Sequence, residues 1–247
     1  MIHLLEELSG NAWPALQVLL YDGWVLRFAE GYTRRANSIT PLYPSALPLA
    51  EKIASCEAVY AARGQPTIFK ITSAAELAAL DDTLDRQGYA PDALTSVQVL
   101  DDLAALPSPA GQTIVAGPDL SDAWLADFCA LSGLEARRLP TIRRLLGNII
   151  PARCFMALRQ DGETIAAGLG VLERGHLGIF DVVTAAHRRN QGFGSQLMLS
   201  LLHWGRTEGA RRAYLQVMLN NAPALHLYEK LGFQEVYRYW YRVKALP

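Results

Sequence analysis

Very little in this sequence pulls in one electrostatic direction. Its 247 residues carry a formal net charge of −1, so there is no global attraction to nucleic acid or to an anionic membrane. Basic residues cluster only in pairs, such as Arg34-Arg35, Arg143-Arg144 and Arg188-Arg189, and most such pairs belong on a solvated face. Cysteine is scarce: Cys56, Cys129 and Cys154 are widely spaced and form no C-x-x-C. That pattern argues against a disulfide framework and a zinc site, and fits buried thiols in a reducing compartment. No apolar run reaches the length of a membrane span. Met1 to Glu7 carries acidic charge where a secretory signal is basic and then apolar. The expectation is a cytoplasmic protein that binds no metal, no nucleic acid and no membrane.

What is present is an ordinary globular composition, 51% hydrophobic and 19% charged, with length enough for one large domain or two small ones. Small residues and two prolines at Ala104 to Gln112 read as a linker. The expected division is residues 1–104, a linker at 105–112, and residues 113–247. In the second part, strands at Thr113–Ala116, Cys154–Leu158, Thr164–Leu172, Leu177–Thr184, Tyr214–Leu219 and Glu235–Val243 alternate with helical patterns. Those helices start near Ser121-Asp122, Pro140, Gly194 and Pro223. The order β-α-α-β-β-β-α-β-α-β predicts an α/β fold with a mixed sheet flanked by helices. The first part offers a hairpin turning at Asp22-Gly23, a short strand at Ser38–Thr40, a helix from Pro48 to Arg63 and a strand at Thr67–Ile71. A helix from Ala74 to Gln87 and a strand at Ser96–Leu100 complete it. Its β-α-β-α-β order repeats that of residues 177–243. Leu84-Asp85-Arg86-Gln87-Gly88-Tyr89 falls on Tyr228-Glu229-Lys230-Leu231-Gly232-Phe233, which suggests a divergent internal repeat.

The chemistry concentrates at Arg188, Arg189, Asn190, Gln191, Gly192, Phe193, Gly194 and Ser195, between a strand and an amphipathic helix. Glycines let the backbone approach a ligand. The first helical N–H groups lack intrahelical acceptors and sit at the positive end of the dipole, which makes an anion cradle. No Gly-Lys-Ser/Thr follows, so it is not a Walker loop, and without a third spaced glycine it is not a Rossmann fingerprint. Further on, Asn221 can cap a helix, Ala224 leaves room beside it, and Tyr228 lies two turns beyond on the same face.

Together these segments resemble the GNAT acetyltransferase superfamily: Arg189-x-x-Gly192-x-Gly194 matches its pyrophosphate motif, and Asn221-x-x-Ala224-x-x-Leu227-Tyr228 with Gly232-Phe233 matches its C-terminal motif. The resemblance covers about residues 113 to 247. It implies acetyl-CoA as co-substrate and direct transfer of the acetyl group to an amine through a ternary complex. It also implies a strand, Phe180-Asp181-Val182-Val183-Thr184, that splays from its neighbour to receive the pantetheine arm, with Val182, Val183 and Thr184 bonding it. Tyr228 is then the proton donor to the departing thiolate. Asp181 is the candidate base or amine ligand, with Glu173 or a water as alternatives. His187 and His226 read as solvated. The family's usual lead-in of proline and an aromatic is replaced by Ala185-Ala186-His187-Arg188, which leaves the cradle intact and the strand register open.

On this reading the first part is a GNAT-like half without a cofactor site. Its loop counterpart, Ser45-Ala46-Leu47-Pro48-Leu49, has no glycine, and Leu84 stands where Tyr228 stands. Trp24, Tyr32, Arg34, Arg35 and Asn37 are candidates for a wall of the acceptor site. The acceptor is a primary amine of a small molecule, amino acid or peptide, and the chain a monomer or homodimer. The alternative is an acyl-CoA-binding regulatory module without turnover.

Overall fold

The computed structural model describes residues 1–107, 109 and 113–246; Ser108 and Ala110 to Gln112 of the expected linker lie outside them. The chain forms two compact units, Met1–Ser96 with Tyr237–Pro247, and Val97–Val236. The division therefore falls at other points than the proline-rich segment, because the last residues of the chain complete the first unit.

The first unit opens with helix α1 (Ile2–Ala12). This helix goes beyond the expected elements; Leu5, Leu8 and Ala12 follow helical spacing and are fully buried. Strands β1 (Gln17–Tyr21) and β2 (Trp24–Phe28) form the expected hairpin. Its turn residues Asp22 and Gly23 hold φ of 41° and 79°, as a two-residue hairpin turn of matching twist requires. Then come β3 (Ile39–Pro41), α2 (Leu49–Ala61), β4 (Thr67–Thr72), α3 (Ala78–Arg86) and β5 (Ala90–Leu100).

In the second unit, β6 (Thr113–Gly117) precedes α4 (Asp122–Ser132), α5 (Leu139–Gly147), β7 (Ala152–Gln160) and β8 (Glu163–Glu173). Next come β9 (His176–Thr184), α6 (Phe193–Thr207), β10 (Arg212–Met218) and α7 (Ala222–Lys230). Ser121 caps α4 as expected, accepting the Trp124 N–H at 3.1 Å. The strands run in the order β10-β9-β8-β7-β6; β9 and β10 are parallel, the other pairs antiparallel. Helix α6 lies across this sheet, burying Leu197, Met198, Leu201 and Leu202 in the unit's core. No helix among the described residues is long and apolar enough to cross a membrane.

The last strand, β11 (Gln234–Lys244), begins in the second unit and ends in the first. There it pairs antiparallel with β4, from Tyr239↔Thr72 to Lys244↔Thr67. The first unit's strands thus read β1-β2-β3-β4-β11, with β3 and β4 parallel. Its core is Trp24, Phe28, Ile53, Tyr60, Phe69 and Leu84 with their neighbours. On α1, Glu6 is buried and is held by Lys70 Nζ at 2.6 and 2.7 Å and by the Tyr237 hydroxyl at 2.7 Å.

Helices α3 and α7 end alike. Tyr89 N donates to Leu84 O at 3.0 Å and Gly88 N to Asp85 O at 2.9 Å; Phe233 N donates to Tyr228 O at 3.0 Å and Gly232 N to Glu229 O at 2.9 Å. Gly88 and Gly232 hold φ of 80° and 88°. The same backbone stop follows each helix, with Leu84 and Tyr228 at matching positions.

Candidate active site

Strands β9 and β10 part company halfway along. Their pairing runs from Arg212↔His176 to Leu215↔Ile179 and goes no further among the described residues, although β9 continues to Thr184 and β10 to Met218. On its other side β9 stays joined to β8, with Ala167 opposite Val183 and Ala166 opposite Thr184. The segment Phe180–Thr184 therefore has one edge in the sheet and one edge facing an opening. Asp181, Val182, Val183 and Thr184 are half-buried there, whereas Leu177 to Phe180 are buried.

The opening coincides with a bulge. Between Ala167↔Val183 and Leu169↔Phe180, two β9 residues, Asp181 and Val182, oppose the single Gly168. Asp181 takes φ +53°, unusual for a residue with a Cβ but tolerated by aspartate. A bulge bends its strand and re-aims the side chain. Burial raises the Cys129 thiol, and the Asp181 charge raises it further, which sets Asp181 beside α4. Glu173, the alternative base, ends β8 at the hairpin turn, paired with His176. Five residues of extended chain, on the order of 16 Å, separate that turn from Asp181, so the two carboxylates are not brought together.

Past Thr184 the chain makes a short 3-10 turn (Ala186–Arg188) and then reaches Gly192, the N-cap of α6 with φ +85°. A Cβ at Gly192 would meet nothing within 4 Å, so the space before the helix is open. The first intrahelical acceptor serves Gln196 N, which donates to Gly192 O at 3.0 Å. The N–H groups of Phe193, Gly194 and Ser195 precede it and lack intrahelical acceptors. Arg188 reaches Glu163 at 4.0 Å, and its Nε is buried with no hydrogen-bond partner among the described residues. Arg189, Asn190 and Gln191 are exposed, and Gln191 donates to His187 O at 3.2 Å. Open space, unspent N–H groups at a positive helix end and an orphaned guanidinium nitrogen fit a pyrophosphate.

Helix α7 supplies the third side. Asn221 caps it, its Oδ1 accepting the Ala224 N–H at 3.4 Å. A Cβ built on Gly194 would lie 3.4 Å from Leu227 and 3.6 Å from the Thr184 hydroxyl, so the end of β9, the start of α6 and the middle of α7 converge there. Tyr228, the next residue of α7, is 9% exposed in the unit's core, its ring 6.0 Å from that of Phe233. Burial pushes its phenol up to about 12, and the hydroxyl makes no hydrogen bond with another described residue.

Several other residues have structural work. Asn37 staples its loop, Oδ1 accepting the N–H groups of Ala29 at 2.7 Å and Gly31 at 2.9 Å. Trp24 is core, and Arg34 pairs with Asp92. His187 faces Glu163 at 3.2 Å and His226 faces Glu229 at 3.9 Å, both exposed as expected. The three cysteines are free and buried. Sequence reasoning overlooked Gln216–Met218, the opposite wall of the opening, because only a failure of pairing marks it.

Residues 1–242 match the family described as probable histone acetyltransferase Rv0428c, C-terminal. The chain belongs to this family of the GNAT N-acetyltransferase superfamily. It is 28% identical over 247 residues to the uncharacterized N-acetyltransferase YobR of Bacillus subtilis (strain 168), covering 98% of each chain. In fold it is similar to a GCN5-related N-acetyltransferase from Kribbella flavida, with a TM-score of 0.71 at 15% identity over 99% of this chain and 96% of that one. A tandem GNAT protein from the clavulanic acid biosynthesis pathway is also similar, with a TM-score of 0.66 at 14% identity over 79% of this chain and 69% of that one. The GNAT chain described here is thus an acyltransferase with the α/β fold expected of it.

Proposed function

We propose that this GNAT chain transfers an acetyl group from acetyl-CoA directly to a primary amine of a small molecule, amino acid or peptide, within one ternary complex. The observation that carries the reading is the opening between β9 and β10, which ends beside the free N-terminus of α6 and the Tyr228 helix. The N–H groups of Phe193, Gly194 and Ser195, with Arg188 and Arg189, hold the pyrophosphate, and Asn190 and Gln191 shape the loop around it. The exposed edge at Val182, Val183 and Thr184 bonds the pantetheine amides. Asn221 and Ala224 border the same channel.

The thioester supplies an activated acetyl group. The neutral amine, having given its first proton to Asp181, attacks the carbonyl carbon and forms the C–N bond. Collapse of the tetrahedral adduct then breaks the C–S bond, and the sulfur takes the Tyr228 proton. The nitrogen's second proton restores the phenol through water, and the proton on Asp181 leaves to solvent. A backbone N–H near Val183 stabilises the tetrahedral oxyanion. Asp181, re-aimed by its bulge, orients the amine and receives its proton, since an alkylammonium of pKa ~10.4 must be deprotonated before attack. Tyr228 stays protonated at any working pH because burial pushes its phenol up to about 12. A thiolate leaving into the same water-poor surroundings is destabilised too, which favours proton transfer from phenol to sulfur.

The test is release of free thiol from acetyl-CoA across a panel of amines, with Tyr228→Phe in parallel. The variant is expected to lose turnover by about 10²-fold, the usual scale of general-acid catalysis, while keeping its affinity for CoA. Unchanged turnover removes Tyr228 from the mechanism. CoA binding with no thiol release for any amine favours a regulatory module instead.

A further inference from the structure

The first unit contains a pocket of 480 Å³ between β3, the N-terminal turn of α2 and the start of α3. Its floor is Trp24, Lys52 and Leu80, all buried, and its mouth carries Tyr43, Leu47 and Glu76. Its volume lies within the range of small-molecule sites.

Two features decide what it can take. The first is that its anion cradle is already filled from within. The Asp22 carboxylate accepts the N–H groups of Ala46 at 3.0 Å and Leu47 at 2.9 Å, and these bonds hold its carboxyl below the usual range. Lys52 Nζ lies 3.1 Å from the same carboxylate, donates to Asp22 O at 2.5 Å and to Ser45 Oγ, and stands 3.9 Å over the Trp24 ring. A Cβ at Gly23 would collide with the carbonyl oxygens of Tyr43 and Pro44, so the β1–β2 turn presses on this loop only because glycine is there. The N–H groups of Ala46 and Leu47 and the Lys52 ammonium are thus spent on Asp22 and Ser45.

The second feature is the charge left over. Lys52 is neutralised by Asp22, and the walls, including Pro41, Leu42, Leu49 and Leu77, are apolar apart from two residues. These are Ser45, whose hydroxyl is spent on Asp22 O, and the exposed His3 ring, stacked on Tyr43 at the mouth. Glu76 is exposed at the mouth and makes no ion pair or hydrogen bond with another described residue. A greasy cavity with one unspent carboxylate at its entrance selects a cation with an apolar body.

We propose that this pocket binds a small amine with an apolar or aromatic body, its ammonium paired with Glu76 and its body against Trp24, Leu77 and Leu80. The site lies wholly in the first unit, so it is additional to the opening between β9 and β10.

The experiment titrates 2-phenylethylamine into the full chain by calorimetry, beside 3-phenylpropionate, which has a similar body and the opposite charge. The amine is expected to bind at least about tenfold more tightly than the acid. Glu76→Gln should weaken it by about fivefold, the scale of a partly exposed ion pair. Ala79→Trp, at an exposed lining position, should fill the cavity and abolish binding with the thermal midpoint unchanged. Absence of amine binding at about 10 mM, equal affinity for amine and acid, or binding that survives Ala79→Trp or ignores Glu76→Gln overturns the proposal.

Discussion

At the scale of single residues, Asp181 separates two jobs that one side chain is asked to do. Its backbone, at φ +53°, makes the bulge in β9; its carboxylate is the candidate base. Asparagine tolerates the left-handed region nearly as well as aspartate, and glycine does so with no steric cost. Asp181→Asn and Asp181→Gly should therefore both keep the bulge and the affinity for CoA. Both are expected to lower kcat/KM by about 10²-fold. Unchanged kcat/KM in Asn but not Gly would make Asp181 an orienting hydrogen-bond acceptor. Unchanged values in both would leave only the backbone role.

At the scale of elements, the turn from β9 into α6 is the part on which binding depends most. Gly192 holds φ +85° before open space, so a valine there brings two separate penalties. The left-handed region costs an L-residue roughly 1–2 kcal/mol, and the new side chain projects toward the pyrophosphate. Gly192→Val is expected to raise the dissociation constant for CoA by more than about tenfold while lowering the thermal midpoint by a few degrees. CoA affinity equal to that of the parent chain would move the phosphate site elsewhere. This turn was legible in the sequence because its signals are local: a glycine pair, a basic pair and a following apolar stripe at 3.6-residue spacing. The Asn221 cap and the Gly232 stop of α7 were legible for the same reason. The bulge was not, since two-against-one pairing depends on Gly168 in another strand. The opening was half legible: family resemblance points to the strand, but only the register shows where pairing with β10 stops. Helix α1 was readable in principle from Leu5, Leu8 and Ala12, but its apolar stripe is short and is interrupted by the acidic Glu6-Glu7 pair. Glu6 itself proves to be a buried partner of Lys70.

At the scale of the whole molecule, the chain's last residues belong to its first unit, which no linker-like composition announces. Tyr237–Pro247 supplies a strand against β4, and its side chains make several polar contacts with the unit's helices and with β4. Arg242 donates to Asp81 at 2.7 and 3.0 Å and to Asp85 at 2.5 Å, Trp240 donates to Asp81 at 2.8 Å, and Lys244 donates to Glu57 at 2.9 Å. The Tyr239 ring covers the Lys70 ammonium at 4.0 Å. Removing this strand exposes the edge of β4, takes the Tyr237 hydroxyl from buried Glu6 and the Tyr239 ring from buried Lys70, and leaves the half-buried Asp81 without Arg242 and Trp240. Each buried polar group left unsatisfied costs about 1–3 kcal/mol, and an uncompensated buried charge more. Against a typical total of about 5–15 kcal/mol for a domain, that loss is decisive. A chain ending at Val236 should therefore lose the native amide dispersion of residues 17–89 in NMR spectra, and a fragment of residues 1–104 should fail to fold alone. A peptide of residues 237–247 added to that fragment is expected to restore part of the dispersion, because the missing strand binds through backbone pairing as well as side chains. Native dispersion in the fragment without the peptide would mean that strands β1 to β4 and their helices suffice, and that β11 only edges the sheet.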